Sequence, residues 1–481
     1  MVDALHRRSS TGGEGRAPFV IVVAVVILAT FYRQAGVPKR ATIWAEDGTI
    51  FTQCAFDRPL LDCLATPYQG YLHTVPRIGA SIAALGVADQ LPFRLTLTAA
   101  LVAALASALA ALAVMDVTGS WVAGVAVGTS TALVYEAGIE VSGNLANLHW
   151  ILLATSATIL IGAWLGRRPG WADLILIGLT CLTSALGPAL AAIAAIPVLQ
   201  RRAGARETLA IIALCSVPQV LTEATAVRQS GLGVLTLDGV SAGATDLLMS
   251  GWFGPGLAWL NLVVPMLLVI VVGWQVRTIW VARSERARET SSAAAHEVGL
   301  DLAWGSAAPV EGASARVSRL KLELTATVAL IVIGLAVWLV DVLVNRTVNP
   351  RYEYAPSVLL VVALMLAQAL VARDSAGRVL AAQTGRRRIP RATIALLITA
   401  AVLATGFFAS FRVVARASKG PNVLHELVAA SARCAAPTDR VTIGVSPRGG
   451  RFTLAVPCSK IGPTEMGSPS PTPAPNTQPP G

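Results

Sequence analysis

Charge is scarce in this sequence. Asp, Glu, Lys and Arg make up 14% of its 481 residues, against roughly a quarter in a soluble domain. Hydrophobic residues make up 54%, and the mean hydropathy is +0.64. So little charge over so long a chain excludes a soluble globular protein and implies a polytopic membrane protein whose solvent is the lipid bilayer. Acidic residues are scarcest, 27 against 38 Lys and Arg, and the net charge of +11 would by itself suit nucleic acid. The Arg residues fall instead in short clusters between apolar runs, the pattern of cytoplasmic loops, which excludes nucleic acid as the partner. Histidines number five, and His73 and His149 lack a close-spaced companion, which argues against zinc. No internal repeat stands out.

The first apolar run, about 18–36, follows Arg7, Arg8 and Arg16 but has no small-residue cleavage site, so it is expected to stay as a signal anchor. Residues 1–17 are then cytoplasmic. Further spans are expected near 93–115, 121–141, 148–165, 172–185, 187–200, 207–224, 255–281, 322–342, 354–372 and 392–411, for about eleven in all. Gly187 and Pro188 break the run over 172–200, which is read as two short spans, since broken helices are tolerated where they line a cavity.

With the N-terminus inside, the cytoplasmic loops collect Arg167 and Arg168, then Arg201, Arg202 and Arg206, the basic stretch 283–321, and Arg386, Arg387, Arg388 and Arg391. The positive-inside rule is met each time. The expected fold is an all-α transmembrane bundle over 18–411, N-terminus in and C-terminus out. It carries an outer loop at 38–92, a second at 343–353, a small exterior segment at 412–462 and a disordered Pro/Ser/Thr-rich tail at 463–481. Cys54 and Cys63 share the first outer loop and Cys434 and Cys458 the exterior segment, so each pair is expected as a disulfide, with free thiols as the alternative.

Polar and aromatic residues are densest in the first outer loop, with Trp44, Glu46, Asp47, Tyr68, Tyr71, His73 and Arg77. Ile78, Ile82 and Leu85 recur at helical spacing between Pro76 and Pro92, as in a short helix on the outer leaflet or the start of the next span. The exterior segment suggests a short helix near 421–433 and strands near 441–445 and 452–456.

The acidic pair Glu46-Asp47 just after the first span, and the motif NPRYEYAP before a late span, resemble the GT-C superfamily of glycosyltransferases. Its members use polyprenyl-phosphate-linked sugars and carry an acidic residue or pair in the first outer loop, followed by interfacial helices. Many bacterial members have an Arg-Tyr pair near a Pro at the outer end of a late helix. The resemblance implies a lipid-phosphate contact for Arg351, beside Tyr352.

Residue chemistry supplies the other roles. A hydroxyl acceptor needs a base, and Asp47 is the candidate; one base facing an activated donor favours inversion. Glu46 is expected to orient the acceptor or to hold a divalent cation (Mg, Mn or Ca) together with Asp47. Arg77 and Arg346 follow Arg351 as contacts for the donor phosphate. Trp44, Tyr68, Tyr71 and His73, with Asn144, Asn147, His149 and Trp150 of SGNLANLHW, are candidates to bind sugar or acceptor. A helix cap and an interfacial Trp explain the SGNLANLHW residues equally well.

The expected activity is sugar transfer to a cell-envelope glycan or glycolipid at the outer face of the plasma membrane. High Ala, Arg and Gly content points to a GC-rich bacterial, actinobacterial source. The alternatives are a transporter or lipid-linked-sugar flippase, and a non-catalytic assembly protein. Few ionisable residues lie within spans, chiefly Glu136, Glu140 and Asp341 near their ends, which disfavours ion-coupled transport.

Overall fold

The computed structural model describes residues 16–32, 39–134, 141–225, 266–267, 269–270, 272–284, 313–345, 350–381, 420–447 and 452–461. Of these, 39, 313–316, 340–345, 350–353 and 371–381 are described by their backbone alone. The expected span at 392–411, most of the stretch 283–321, the tail 463–481 and residues Glu136, Glu140 and Arg346 lie outside this set.

Runs of apolar residues without polar punctuation become helices, because in hydrocarbon the backbone must satisfy its own hydrogen bonds. The elements are α1 (Arg16–Tyr32), α2 (Gln53–Asp57), α3 (Leu60–Ala65), α4 (Thr74–Ala83), α5 (Leu91–Thr118), α6 (Trp121–Leu133) and α7 (Leu148–Trp164). They continue as α8 (Trp171–Cys181), α9 (Leu190–Leu199), α10 (Ala205–Thr225), α11 (Ala313–Asn345) and α12 (Pro350–Ala381). A further helical stretch runs over 272–284. Among the described residues three segments are long and apolar enough to cross a membrane, Ala88–Thr118, Ala205–Thr225 and Val317–Leu339, and shorter apolar helices pack among them.

Helix α5 is the hub, packed on α1, α6 and α7. Its Ala99, Ala103, Ala106, Ala110 and Ala113 are buried, and such small side chains let helices approach closely where lipid gives no hydrophobic drive. The facing helix α6 does the same with Gly124 and Gly128. A Cβ at Gly128 would lie 2.8 Å from Val22 of α1 and 2.9 Å from Ala111 of α5, so both neighbours occupy the space a side chain would need.

Helix α4 is separate from α5, which settles the open reading of 76–92. Its small residues Gly79, Ala80 and Ala83 face inward, and Ile82 faces outward. The break at 182–189 divides α8 from α9 as expected. At 11 and 10 residues each is about 15–17 Å long, half the hydrocarbon thickness. The break meets the start of α4: the Thr74 amide and hydroxyl both donate to the Leu182 carbonyl, and the Val75 amide donates to Thr183 Oγ1.

Two expected boundaries are corrected. Helix α11 begins at Ala313, inside the stretch 283–321, because Val317, Leu320 and Leu324 carry the helical period outward and bury Val317 and Leu320. Helix α12 begins at Pro350, so much of the expected 343–353 loop is helix, and Pro suits a first helical position where its missing N–H costs nothing.

At the end of the bundle opposite the segment between α1 and α5, Arg167 ties α5 to α8 through Asp116 at 2.8 Å and Asp173 at 2.9 Å. A small C-terminal module of α13 (Val423–Ser431), β1 (Arg440–Gly444) and β2 (Thr453–Pro457) forms an antiparallel hairpin stapled by Cys434–Cys458. Cys54–Cys63 likewise links α2 to α3. The module docks on the segment between α1 and α5. Ser446 donates its amide to the Ile43 carbonyl at 2.8 Å, Ala455 donates to Gln53 Oε1 at 2.9 Å, and Arg440 pairs with Asp57.

Candidate active site

After α1 the chain returns to helix at Ala45 and runs as a π-helical turn over Asp47–Thr52 before becoming α2. π-turns are uncommon and cluster at functional sites. Here the wider turn carries Asp47 inward, leaving it 2% exposed. Its Oδ2 accepts the Leu145 amide at 2.9 Å and its Oδ1 the Ala146 amide at 2.8 Å. The carboxylate therefore grips the segment leading into α7, about a hundred residues away in sequence.

That segment holds the second sequence-predicted group. Asn144, Asn147, His149 and Trp150 are all buried. Asn147 stands at the N-cap of α7 but makes no side-chain cap hydrogen bond, so capping does not account for it. His149 Nδ1 lies 2.8 Å from the Ala146 carbonyl. The same peptide segment thus serves Asp47 through an amide and His149 through a carbonyl.

Between these groups lies an aromatic chamber. Tyr68, Gln69, Gly70 and Tyr71 form a tight turn, with Gln69 at φ 54 and Gly70 at φ 85 and the two Tyr residues paired across it. Positive φ at both central residues is what a type I′ two-residue turn requires, and Gly70 adopts it without Cβ crowding. The turn sets Tyr71 against His73 at 4.1 Å between ring centroids and Tyr68 at 5.6 Å. Phe51 closes on His73 at 5.2 Å, and His149 stands 6.2 Å from His73 and 4.6 Å from Trp150.

His73 is 2% exposed, and neither ring nitrogen has a hydrogen-bond partner of good geometry. Burial pushes its pKa well below the usual 6.5, helped by His149 and Arg77, while the backbone of Tyr68 pulls weakly the other way. The imidazole is therefore neutral at pH 7. Four residues on, Arg77 is also 2% exposed and no carboxylate among the described residues pairs with it. Its guanidinium carbon stands 5.4 Å from the Phe51 centroid, and its Nε is unpartnered. Burial, with Arg58 nearby, lowers its pKa to about 10, so it remains a cation at neutral pH.

Glu46 is half-buried and accepts the Trp44 indole N–H. Adjacent helical side chains diverge, and here one carboxylate faces backbone amides while the other faces an indole. Among the described residues no group of three or more His, Cys, Asp or Glu could hold a metal. The expected Glu46–Asp47 cation pair does not fit this donor set, because a hard divalent cation needs several convergent oxygens.

Arg351 and Tyr352 lie in the first turn of α12, and their side chains fall outside the described residues, as does Arg346. Tyr354, one turn on, donates its hydroxyl to the Thr131 carbonyl near the end of α6. The motif thus sits at the same end of the bundle as Asp47. Sequence reading overlooked Phe51, the ring shared by His73, Tyr68 and Arg77. It also overlooked Gln219 of α10, whose Oε1 accepts the Leu72 amide. Phe51 had a signal, its place four residues after Asp47.

No protein-family model matches this chain, and no curated protein matches it. Among solved structures the chain is similar to ArnT from Cupriavidus metallidurans bound to undecaprenyl phosphate. The identity is 14%, the match covers 88% of this chain and 81% of that one, and the TM-score is 0.38.

Proposed function

We propose that this chain is an integral membrane glycosyltransferase of the GT-C type, moving a sugar from a polyprenyl-phosphate donor to a hydroxyl acceptor at the extracytoplasmic face of the plasma membrane. One observation carries the reading. A buried carboxylate, Asp47, and a buried cation without a carboxylate partner among the described residues, Arg77, flank one aromatic chamber at an end of an apolar bundle. A carboxylate can take a proton, a cation can hold a phosphate, and ring faces can stack on a sugar.

The Leu145 and Ala146 amides fix the orientation of the Asp47 carboxylate. The acceptor O–H proton passes to Asp47 as its oxygen bonds the anomeric carbon. The bond from that carbon to the phosphate oxygen breaks, and its electron pair stays on the phosphate. A single displacement of this kind inverts the anomeric centre. Glu46, nearer the surface, orients the acceptor. Arg77 holds the donor phosphate with Arg351, Tyr352 and Arg346, while Trp44, Tyr68, Tyr71, Asn144, Asn147, His149 and Trp150 shape the sugar and acceptor sites.

The test is transfer from radiolabelled polyprenyl-phosphate sugars by membranes holding the native chain, Asp47→Asn or Glu46→Gln. Asp47→Asn is expected to lower transfer at least 100-fold, in the range that general bases contribute, and Glu46→Gln to lower it less. Both variants should still form the Cys54–Cys63 and Cys434–Cys458 bridges. Full transfer by Asp47→Asn would remove Asp47 as the base.

A further inference from the structure

His73 is the one chamber residue whose state the sugar-transfer reading leaves unexplained. An imidazole buried to 2% with both nitrogens unpartnered loses hydrogen bonds it would make in water. It stands one helical turn from Arg77, itself buried with an unpartnered Nε. Both are held rigidly. The amides that follow His73 are anchored to Leu182 and Thr183 of the helix break, and three rings pack around the imidazole. Two adjacent buried groups, one with both ring nitrogens and the other with its Nε lacking a partner of good geometry, make an anion seat.

We infer that His73 and Arg77 together form a seat selective for a phosphate monoester, with His73 taking up one proton when that monoester binds. The inference rests on the proposed sugar transfer, whose donor is a phosphodiester bearing one negative charge. Loss of the sugar leaves a monoester, and its second ionisation, near pH 6, makes it mostly a dianion at neutral pH. Arg77 answers the first charge. The second draws a proton from water onto His73, so the imidazolium N–H donates to phosphate.

The neighbours of His73 allow this. Arg77 lies on its own helix, with the exposed Arg58 behind it, and His149 faces it from α7. Tyr68 and Tyr71 face it from the preceding turn as neutral phenols, and the segment at Leu182 and Thr183 adds no charge. The π-turn faces it with Phe51, while the Asp47 carboxylate on that turn points to the Leu145 and Ala146 amides. Burial, helped by His149 and Arg77, keeps the imidazole neutral, and a dianion beside it reverses that balance. Product is then held more tightly at lower pH, and release quickens as pH rises.

The experiment is titration calorimetry of the purified full chain in nanodiscs at pH 8, in two buffers of different ionisation enthalpy. The probes are farnesyl phosphate, a monoester, and its methyl ester, a diester. About one proton should be taken up with the monoester and close to none with the diester. His73→Gln should bind the monoester without uptake, and Arg77→Gln should weaken both probes at least tenfold. Equal uptake in His73→Gln would put the proton on the phosphate or elsewhere and overturn the role of His73. Absence of binding by native chain, or binding indifferent to Arg77→Gln, would overturn the seat. Should His73→Gln not assemble, His73→Asn replaces it, with both disulfides as the check. A native chain that transfers labelled sugar but takes up no proton sinks this inference alone. A chain that takes up the proton but never transfers sugar sinks the transfer reading alone.

Discussion

A neutral imidazole sealed among rings makes the fold sensitive to acid. The unfolded chain protonates His73 near its ordinary pKa of 6.5, whereas the folded chain does so only well below it. Between those values the unfolded state binds more protons, so stability falls as pH drops through 6.5 toward the folded value. The apparent melting temperature of the native chain in detergent should therefore decline from pH 7.5 to 5, and His73→Asn should flatten that decline. An unchanged slope in the variant would mean that other groups carry it. At this scale the sequence was partly legible. A carboxylate, an arginine and two histidines beside apolar spans are rare enough to attract notice, and they converge. Phe51 went unread because one Phe in an apolar window looks the same whether it fills a core or walls a site. The backbone amides of Leu145 and Ala146 were invisible for a stronger reason, since every residue has one and only the fold aims it.

Helices α5 and α6 meet at a spacing that tolerates no added atoms. At Gly128 a Cβ would sit 2.8 Å from Val22 and 2.9 Å from Ala111, so Gly128→Leu must push α1 and α5 apart. Overpacking of this kind costs about 1–3 kcal/mol, and a drop of several degrees in the melting midpoint is expected, while Gly273→Leu, with open space around it, should change little. Equal effects would deny α6 its close seat. Helix identities were readable because an apolar run of span length has few other fates in a bilayer. Their ends were not: the charged residues at 316–323 look like loop until Val317 and Leu320 are seen to be buried on one helical face. The break after α8 was readable from Gly187-Pro188, but its packing against Thr74 and Val75 was not, because contact across about a hundred residues leaves no local pattern.

Over the whole molecule, the π-turn, the 141–147 segment, the helix break, the start of α12 and the C-terminal module gather at one end, and the Arg167 ion pairs lie at the other. Single cysteines placed at Thr66 and Thr438 should both react with a membrane-impermeant thiol reagent added outside intact cells, and one at Gly204 should not. Opposite reactivity of Thr66 and Thr438 would break the assigned topology. The paired cysteines set the module apart in the sequence, but its docking partner was hidden in letters as ordinary as Ile43 and Ser446. Ala455 and Gln53 bond across 402 residues of chain, and a Cβ on Gly48, next to Asp47, would meet Val445 at 3.1 Å. Synthesis therefore imposes an order. A ribosome finishes α12 before Ser446, whose amide holds the Ile43 carbonyl beside Trp44, has emerged, so a nascent chain can contain all of α1 to α12 and still lack the contact that braces its acidic turn.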